Sequence, residues 1–497
     1  MKILNLFIAI ITATLFSGCS DGFLDKTKLG SLTTENFFVT ENDAFQSVVA
    51  AYSDMKDYRY VMTLWCFGDV LSEDATYSGS DNDVQTYALM ESYNYPADNG
   101  RILNRWQILF RGINKTNQAI DGISKMDASL FKTQNKNRLL GEALFLRAYY
   151  YHELVIAFGD VPLMTKTPTI NDKTLTRTPV ADVYAQIEKD LNDAASYLPA
   201  KSTLNMTTDA GRITKAAANA MLSRVYLYEK KYDACKLASK AVFAETDYTL
   251  VANYADVFKL NGEHCTESIL EITQYDSPGG ANVNELNNNG NFHNLLMMPF
   301  GTTYGFGLNQ PKLALAKAFI NEGDSIRKHA SMLTVDSLRV WETATNFAKL
   351  SRNRTGFYNA KFYLKPAQRS SNGKNNPTNI RLIRLPEVYL NYAEACALQP
   401  SIEGGENEAR TYLNIVRKRV HLAEKTSAGT ALFDDIMLER RLEFAGEGHR
   451  YWDMVRTGKA ATAFVTKGTF KPSTCNLMPI PQAEIEASGG IIIQNPR

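Results

Sequence analysis

Apolar positions along most of this chain recur at the spacing of one helix face, i, i+3, i+4 and i+7, and only rarely with the alternation of a strand. Ala44, Phe45, Val48, Val49 and Tyr52 place an amphipathic helix over Glu41 to Tyr58. Trp106, Leu109, Phe110, Ile113, Asn117 and Ile120 share one side of a second, from Trp106 to Ile123. The segment from Arg138 to Phe158 is apolar nearly all round, interrupted by Glu142, Arg147, His152 and Glu153. A helix of that kind has to be covered on several faces. Gly159-Asp160 and Pro162 then stop it.

Two later stretches resemble tetratricopeptide repeats. From Lys215 to Phe243 a first helix carries Ala220, Leu222 and Tyr226, Lys230-Lys231 breaks it, and a second carries Ala234 and Ala241. From Leu385 to Val420, Tyr389, Ala393 and Ala397 line a helix broken at Gly404-Gly405, and Ala409, Leu413 and Val416 line its partner. Small residues at these places let paired helices approach closely, and each pair must bury its open face on a neighbour. With Val180 to Leu198 and the earlier helices, the pattern predicts a mainly α fold on a scaffold of about four helix pairs. Residues 246–383 break it: they are rich in Asn and Gly, hold only short helical pieces and minor β structure, and form an irregular, loop-rich half where binding belongs.

The N-terminus is patterned differently. Lys2 precedes an apolar run from Ile3 to Phe16 that ends in Ser17-Gly18-Cys19, a secretory signal followed by a lipobox-like acylation site with Phe16 in place of the usual Leu. The run is short of the about 20 apolar residues a membrane span needs. The expected organisation is a lipoprotein signal over 1–18, a lipidated tether over 19–40 anchored at Cys19, a helical region over 41–245, the irregular ligand face over 246–383, and a C-terminal region over 384–497 with the last helical repeat.

Charge and chemistry narrow the function. The net charge is +1, from 54 basic and 53 acidic residues, which gives little electrostatic case for nucleic acid. Cys66, Cys235, Cys265, Cys396 and Cys475 are an odd set without a CxxC, better suited to core packing than to a disulfide framework. His152-Glu153 begins like HExxH but meets Ile156 at the second ligand position, and Gly301, Gly305 and Gly307 lack the Lys-Ser/Thr of a phosphate loop. Six histidines are scattered, and the Asp-rich stretch 69–83 lacks an EF-hand loop, so neither metal nor cofactor is expected. Glu439, Glu443 and Glu447 could be read as a glycosidase acid/base set, but carboxylates a turn apart beside Arg440, Arg441, Arg450 and Arg456 better suit ion pairs that lock a helix to its neighbours.

A family resemblance then becomes specific. Cys19 followed by Asp21, Phe23, Leu24 and Asp25 resembles the start of SusD/RagB proteins; Trp106 with Ile113-Asn114 and Asn117 resembles their first helix. Glu142-Ala143, Leu146-Arg147-Ala148 and Phe158 to Pro162 are similar to their second. Arg384-Leu385, Glu387, Tyr389-Leu390 and Ala393-Glu394-Ala395, then Glu439 to Arg456, resemble their C-terminal signatures, and Pro479-Ile480-Pro481 and Asn495-Pro496 their tail. The resemblance implies an outer-membrane, surface-exposed lipoprotein of Bacteroidota that is not an enzyme. It implies capture of an oligosaccharide, or in the RagB branch a peptide, and a lid role over a SusC-like TonB-dependent barrel. It also implies that Trp106 and Trp452 are core; a surface glycoside hydrolase is the competing class.

Two tryptophans are left to stack on a sugar ring, with carboxylates and amides to bind its hydroxyls. Trp65 lies close to Asp74 and Tyr77, and Trp341 lies in the irregular stretch between Arg339 and Phe357-Tyr358. Tyr304 and Asn309 complete the expected ligand set, while Trp65, within Leu64 to Phe67, suits a core position equally well.

Overall fold

The computed structural model describes residues 37–78, 81–169, 176–274, 292–300, 305–342, 353–370, 376–399, 405–467 and 469–496. Cys19, the tether as far as residue 36, and Tyr304 lie outside them. Helix α1 (Glu41–Lys56) is started by a reciprocal cap: the Thr40 hydroxyl accepts from the Asp43 amide, and the Asp43 carboxylate accepts from the Thr40 amide at 2.7 Å. It ends two residues before the expected Tyr58, because Asp57 leaves helical geometry and caps a new helix, α2 (Tyr58–Trp65). The sequence reading missed α2 and the π-helical turn Cys66–Val70 that continues it.

After α3 (Asp81–Glu91) come α4 (Gly100–Lys125), α5 (Lys136–Phe158), α6 (Val180–Tyr197), α7 (Lys215–Tyr228) and α8 (Tyr232–Phe243). Asn99, Asn135 and Thr214 cap α4, α5 and α7 with their side chains. The Asn99 cap explains why α4 starts at Gly100 and not at Trp106. Helix α5 is buried over nearly its whole circumference, as its apolar run requires, and Gly159 at φ 70° ends it. Gly112 on α4 admits the ring of Tyr150 from α5; a Cβ there would lie 2.5 Å from it.

The irregular half contributes α9 (Phe292–Met297), α10 (Leu313–Asn321), α11 (Ser325–Ser331) and α12 (Val335–Trp341). Three antiparallel two-stranded sheets accompany them: β1 (Ala75–Thr76) with β3 (Gln310–Pro311), β2 (Ser268–Ile272) with β6 (Ile380–Arg384), and β4 (Met332–Thr334) with β5 (Phe357–Asn359). Strand β6 leads directly into α13 (Leu385–Leu398), followed by α14 (Gly405–Arg419), α15 (Gly429–Glu443) and α16 (Arg450–Arg456).

Helices α4 to α8, then α13 and α14, pack each on the next, and α15 lies against both α13 and α14. These eight helices, the equivalent of four pairs, make the mainly α scaffold that the periodicity predicts. The stack passes without interruption from α8 to α13, across residues 244–384: Phe243 stacks on Tyr412 of α14, centroids 4.8 Å apart, and packs on Tyr389 of α13 at 5.2 Å. Trp106 and Trp452 are buried in the main core with Cys66 and Cys475, while Cys235 and Cys396 are buried in smaller apolar clusters.

Candidate ligand-binding site

The row of carboxylates from α15 onward is the natural place to look for chemistry, and its geometry is that of a lock. Glu443 Oε1 accepts from Arg419 Nη2 at 2.6 Å and from Arg384 Nη1 at 2.9 Å, and its Oε2 accepts from Arg327 Nη1 at 3.1 Å. Arg384 and Arg419 both reach Glu267, just before β2, at 2.7 Å, Arg417 reaches Glu439 at 2.9 Å, and Glu447 takes Arg384 at 2.7 Å and Lys361 at 2.6 Å. Burial alone would raise the Glu443 pKa, but Arg419, Arg384 and Arg327 outweigh it and hold the carboxylate well below its usual range. A carboxylate gripped by three guanidiniums can neither donate a proton nor open to a substrate. The cluster joins α11, the lead-in to β2 at Glu267, β6 and the segment after β5 to α14 and α15, fastening the irregular half to the scaffold.

Beside it a cavity of about 80 Å³ is lined by Trp65, Arg105, His152, His293, Lys361, His449 and others. Burial lowers the pKa of His449 to about 4 and that of His293 to about 3, and drives His152 well below its ordinary value, so all three stay neutral.

Four of the expected ligand residues are drawn into the interior. Trp65 is 1% exposed and packs on Tyr87, ring centroids 5.2 Å apart, so its faces are closed to a surface ligand. Asp74 is clasped by Arg441, whose Nε donates to Asp74 Oδ2 at 2.9 Å. Asn309 Nδ2 donates to Asp69 Oδ2 at 2.8 Å, and Gly448 N donates to Asp69 Oδ1 at 3.0 Å; burial nevertheless pushes the Asp69 carboxyl up to about 7. Tyr77 is largely buried, with the Arg354 guanidinium 4.4 Å from its ring centroid. The structure does bring Asp74, Tyr77 and Asn309 into one neighbourhood, because β1 pairs with β3, but in the role of internal braces for Asp74 and Asn309. Among the described residues no group of three or more His, Cys, Asp or Glu side chains is placed to hold a metal ion.

Trp341 is different. It closes α12, is partly exposed, and stacks on Tyr363 with centroids 5.6 Å apart and 26° between the planes. The Tyr363 hydroxyl donates to Glu342 Oε1 at 2.8 Å, and Glu342, itself buried, is ion-paired with Arg369. Burial and the adjoining Glu342 carboxylate keep the Tyr363 phenol protonated. The Lys365 ammonium lies 4.8 Å from the Trp341 ring centroid. The outcome is a pair of stacked aromatic rings, pinned by one carboxylate, with the exposed Lys365 ammonium over the Trp341 ring. It can stack on the C–H face of a sugar or on another flat ligand group, and it offers donors to hydroxyls. Tyr363, Lys365, Glu342 and Arg369 were not among the expected residues; the antiparallel register of β4 and β5, Met332 opposite Asn359, folds their segment back against α12.

Comparison with known proteins agrees with this architecture. The family described as "Starch-binding associating with outer membrane" matches residues 22–227, and the "SusD family" matches residues 319–497. A SusD-like protein of Bacteroides ovatus is 27% identical over 91% of this chain and 82% of its own length. SusD-like protein P2 of Formosa agariphila is 26% identical over 100% of both chains. The solved structure of a laminarin-binding SusD-like protein superposes with a TM-score of 0.78 at 28% identity, covering 92% of this chain and 99% of that one.

Proposed function

We propose, from the premise that this chain belongs to the SusD/RagB family, that it is a surface glycan-binding protein which captures an oligosaccharide on the Trp341–Tyr363 platform. It delivers the glycan to a SusC-like, TonB-dependent barrel of the outer membrane, over which it acts as a lid, and acylated Cys19 holds it to the membrane. The observation that carries the reading is the partly exposed Trp341 stacked on Tyr363, with Glu342 and Arg369 bracing the pair. A structural relative named for laminarin binding supports a glycan as the ligand class. Affinity without turnover suits a chain whose carboxylate row, Glu439, Glu443 and Glu447, is neutralised by arginines and a lysine.

Calorimetric titration with oligosaccharides tests the platform. Stacking on an aromatic ring contributes about 1.5 kcal/mol beyond area, so Trp341→Ala should weaken binding by roughly tenfold or more. Unchanged affinity in that variant refutes the assignment. Release of reducing sugar that disappears in Glu443→Gln would instead establish a hydrolase. Co-purification of the lipidated protein with a barrel from outer membranes, lost in Cys19→Ser, tests the partner and the anchor together.

A further inference from the structure

The segment that carries the platform has a charge unlike the rest of the chain. Residues 339–381 contain nine Lys and Arg (Arg339 first, Arg381 last) and a single acidic residue, Glu342, in a protein of net charge +1. Part of that charge is consumed internally. Lys361 pairs with Glu447, Arg369 with Glu342, and Arg381 approaches Glu271 at 3.6 Å.

Two exposed cations are left without a carboxylate within 4.0 Å among the described residues, Arg354 and Lys365. Each lies over an aromatic ring: Arg354 over Tyr77, 4.4 Å from its centroid, and Lys365 over Trp341, 4.8 Å from its centroid. Arg354 is held beside β1 and Tyr77, where its backbone N–H donates to Gln310 Oε1 on β3 at 2.9 Å. A neutral sugar seated on the Lys365 side of Trp341 displaces the ammonium and offers it only neutral hydroxyl acceptors. A sugar that bears an anionic group can take the ring face and also receive the displaced ammonium as a charge-assisted hydrogen bond.

We infer that the ligand of the Trp341 platform is an acidic oligosaccharide, carrying uronate carboxylates or sulfate esters, with Lys365 and Arg354 as the groups that select it. The inference rests on the glycan-binding reading above and specifies its ligand class. Lys365 acts at the stacking ring itself, and Arg354 acts at a second point toward the cleft lined by Glu73, Thr76, Glu91, Lys312 and Thr355, whose two carboxylates are ion-paired with Arg450 and Lys312. Because both cations are solvent-exposed, the selection they impose weakens as salt screens them.

The test uses the mature protein on an array of neutral, uronate-bearing and sulfated oligosaccharides, with soluble poly-glutamate as a separate probe. Solution titrations follow at low and high salt for wild type, Lys365→Gln, Arg354→Gln and Trp341→Ala. The expected result is that acidic glycans give the strongest signals and that raising salt from 20 to 300 mM weakens them. Lys365→Gln should lower their affinity about tenfold and that of any neutral glycan by a much smaller factor. The uronate and sulfate arms separate the two anionic groups. If neutral glycans bind best and Lys365→Gln and Arg354→Gln are without effect, the acidic class is overturned while the platform stands, provided Trp341→Ala still abolishes binding. If Trp341→Ala changes nothing, or no glycan binds at all, the underlying glycan reading falls and this inference with it. Poly-glutamate bound as tightly as any glycan also overturns it, since charge alone would then suffice. Melting curves for the two charge variants, expected to overlay wild type, establish that any loss is not unfolding.

Discussion

Replacing Glu443 with Gln removes one negative charge from a cluster in which every neighbour is already committed. In the folded protein Arg327, Arg384 and Arg419 converge on that carboxylate, and all four side chains are essentially excluded from solvent. An amide of the same shape keeps one acceptor but adds donors that face guanidinium N–H groups, so at least one contact turns repulsive and the cluster carries an uncompensated positive charge. Removing one partner of a buried pair costs about 3–5 kcal/mol. Unfolding entropy of about 2.1 cal/mol/K per residue gives about 1 kcal/mol/K for a chain of this length, so Tm should fall by roughly 3–5 °C. Because the Glu443 pKa is depressed in the folded state, its contribution is complete above the unfolded value near 4.5 and is lost as pH falls toward the folded one. The deficit of the variant should therefore be constant from pH 8 to about 5 and shrink below. Lys189→Gln is the control: its pair with Asp193 is exposed, at 67% and 42%, and is expected to contribute only about 0.3–0.5 kcal/mol. Circular dichroism melts of both variants across that pH range decide the matter. A Tm loss in Glu443→Gln no larger than in Lys189→Gln would refute the view of this cluster as the lock between the two halves.

Other consequences are as direct. His449 and His293, with folded pKa values lowered to about 4 and about 3, must take up protons on unfolding, so stability should fall as pH drops from about 6.5 toward 5. The slope is up to about 1.4 kcal/mol per pH unit per histidine. His449→Gln should flatten the urea-unfolding profile in that window, and an unaltered profile would show that His449 does not titrate there. A Cβ at Gly68 would sit 1.9 Å from the Gly448 carbonyl oxygen, backbone against backbone, so Gly68→Ala should cost about 3 kcal/mol in urea unfolding; a loss under 1 kcal/mol would contradict the close approach. Glu342→Gln weakens the anchor beneath Tyr363, and titration should show several-fold weaker glycan binding with far-UV dichroism preserved; wild-type affinity would mean that the platform needs no pinning.

What could be read from the sequence follows from the range of the interactions involved. Helices α5, α7 and α8 were legible because a helix that buries one face, or all of them, writes a 3.6-residue period that needs no knowledge of its neighbours. Helix α2 was not: Tyr58–Trp65 is nearly all apolar and aromatic, and its cap, Asp57, is also the residue that ends α1. The carboxylate row was visible as charge, yet its partners Arg327, Lys361 and Arg384 come from segments that only tertiary folding brings close. The site behaved in the same way. Trp341 could be named as a residue, but Tyr363 and Lys365 meet it through the β4–β5 pairing, and Trp65 and Asp74 look as polar or aromatic in sequence as any surface residue.

The helical stack closes directly from α8, ending at Phe243, to α13, beginning at Leu385. Closing a loop grows costlier by only about 0.6 kcal/mol for each doubling of its length, so the stack is nearly indifferent to how much chain is looped out there. Evolution can therefore lengthen, shorten or exchange the intervening segment as a cassette while the supporting helices stay fixed. The same arrangement imposes an order on assembly: α4 to α8 can collapse through neighbouring contacts as they are made, whereas α8 keeps an aromatic seam around Phe243 uncovered until the last quarter of the chain arrives. A nascent protein in that interval presents a sticky, unsealed end, and it is at that stage that holding chaperones would be most needed.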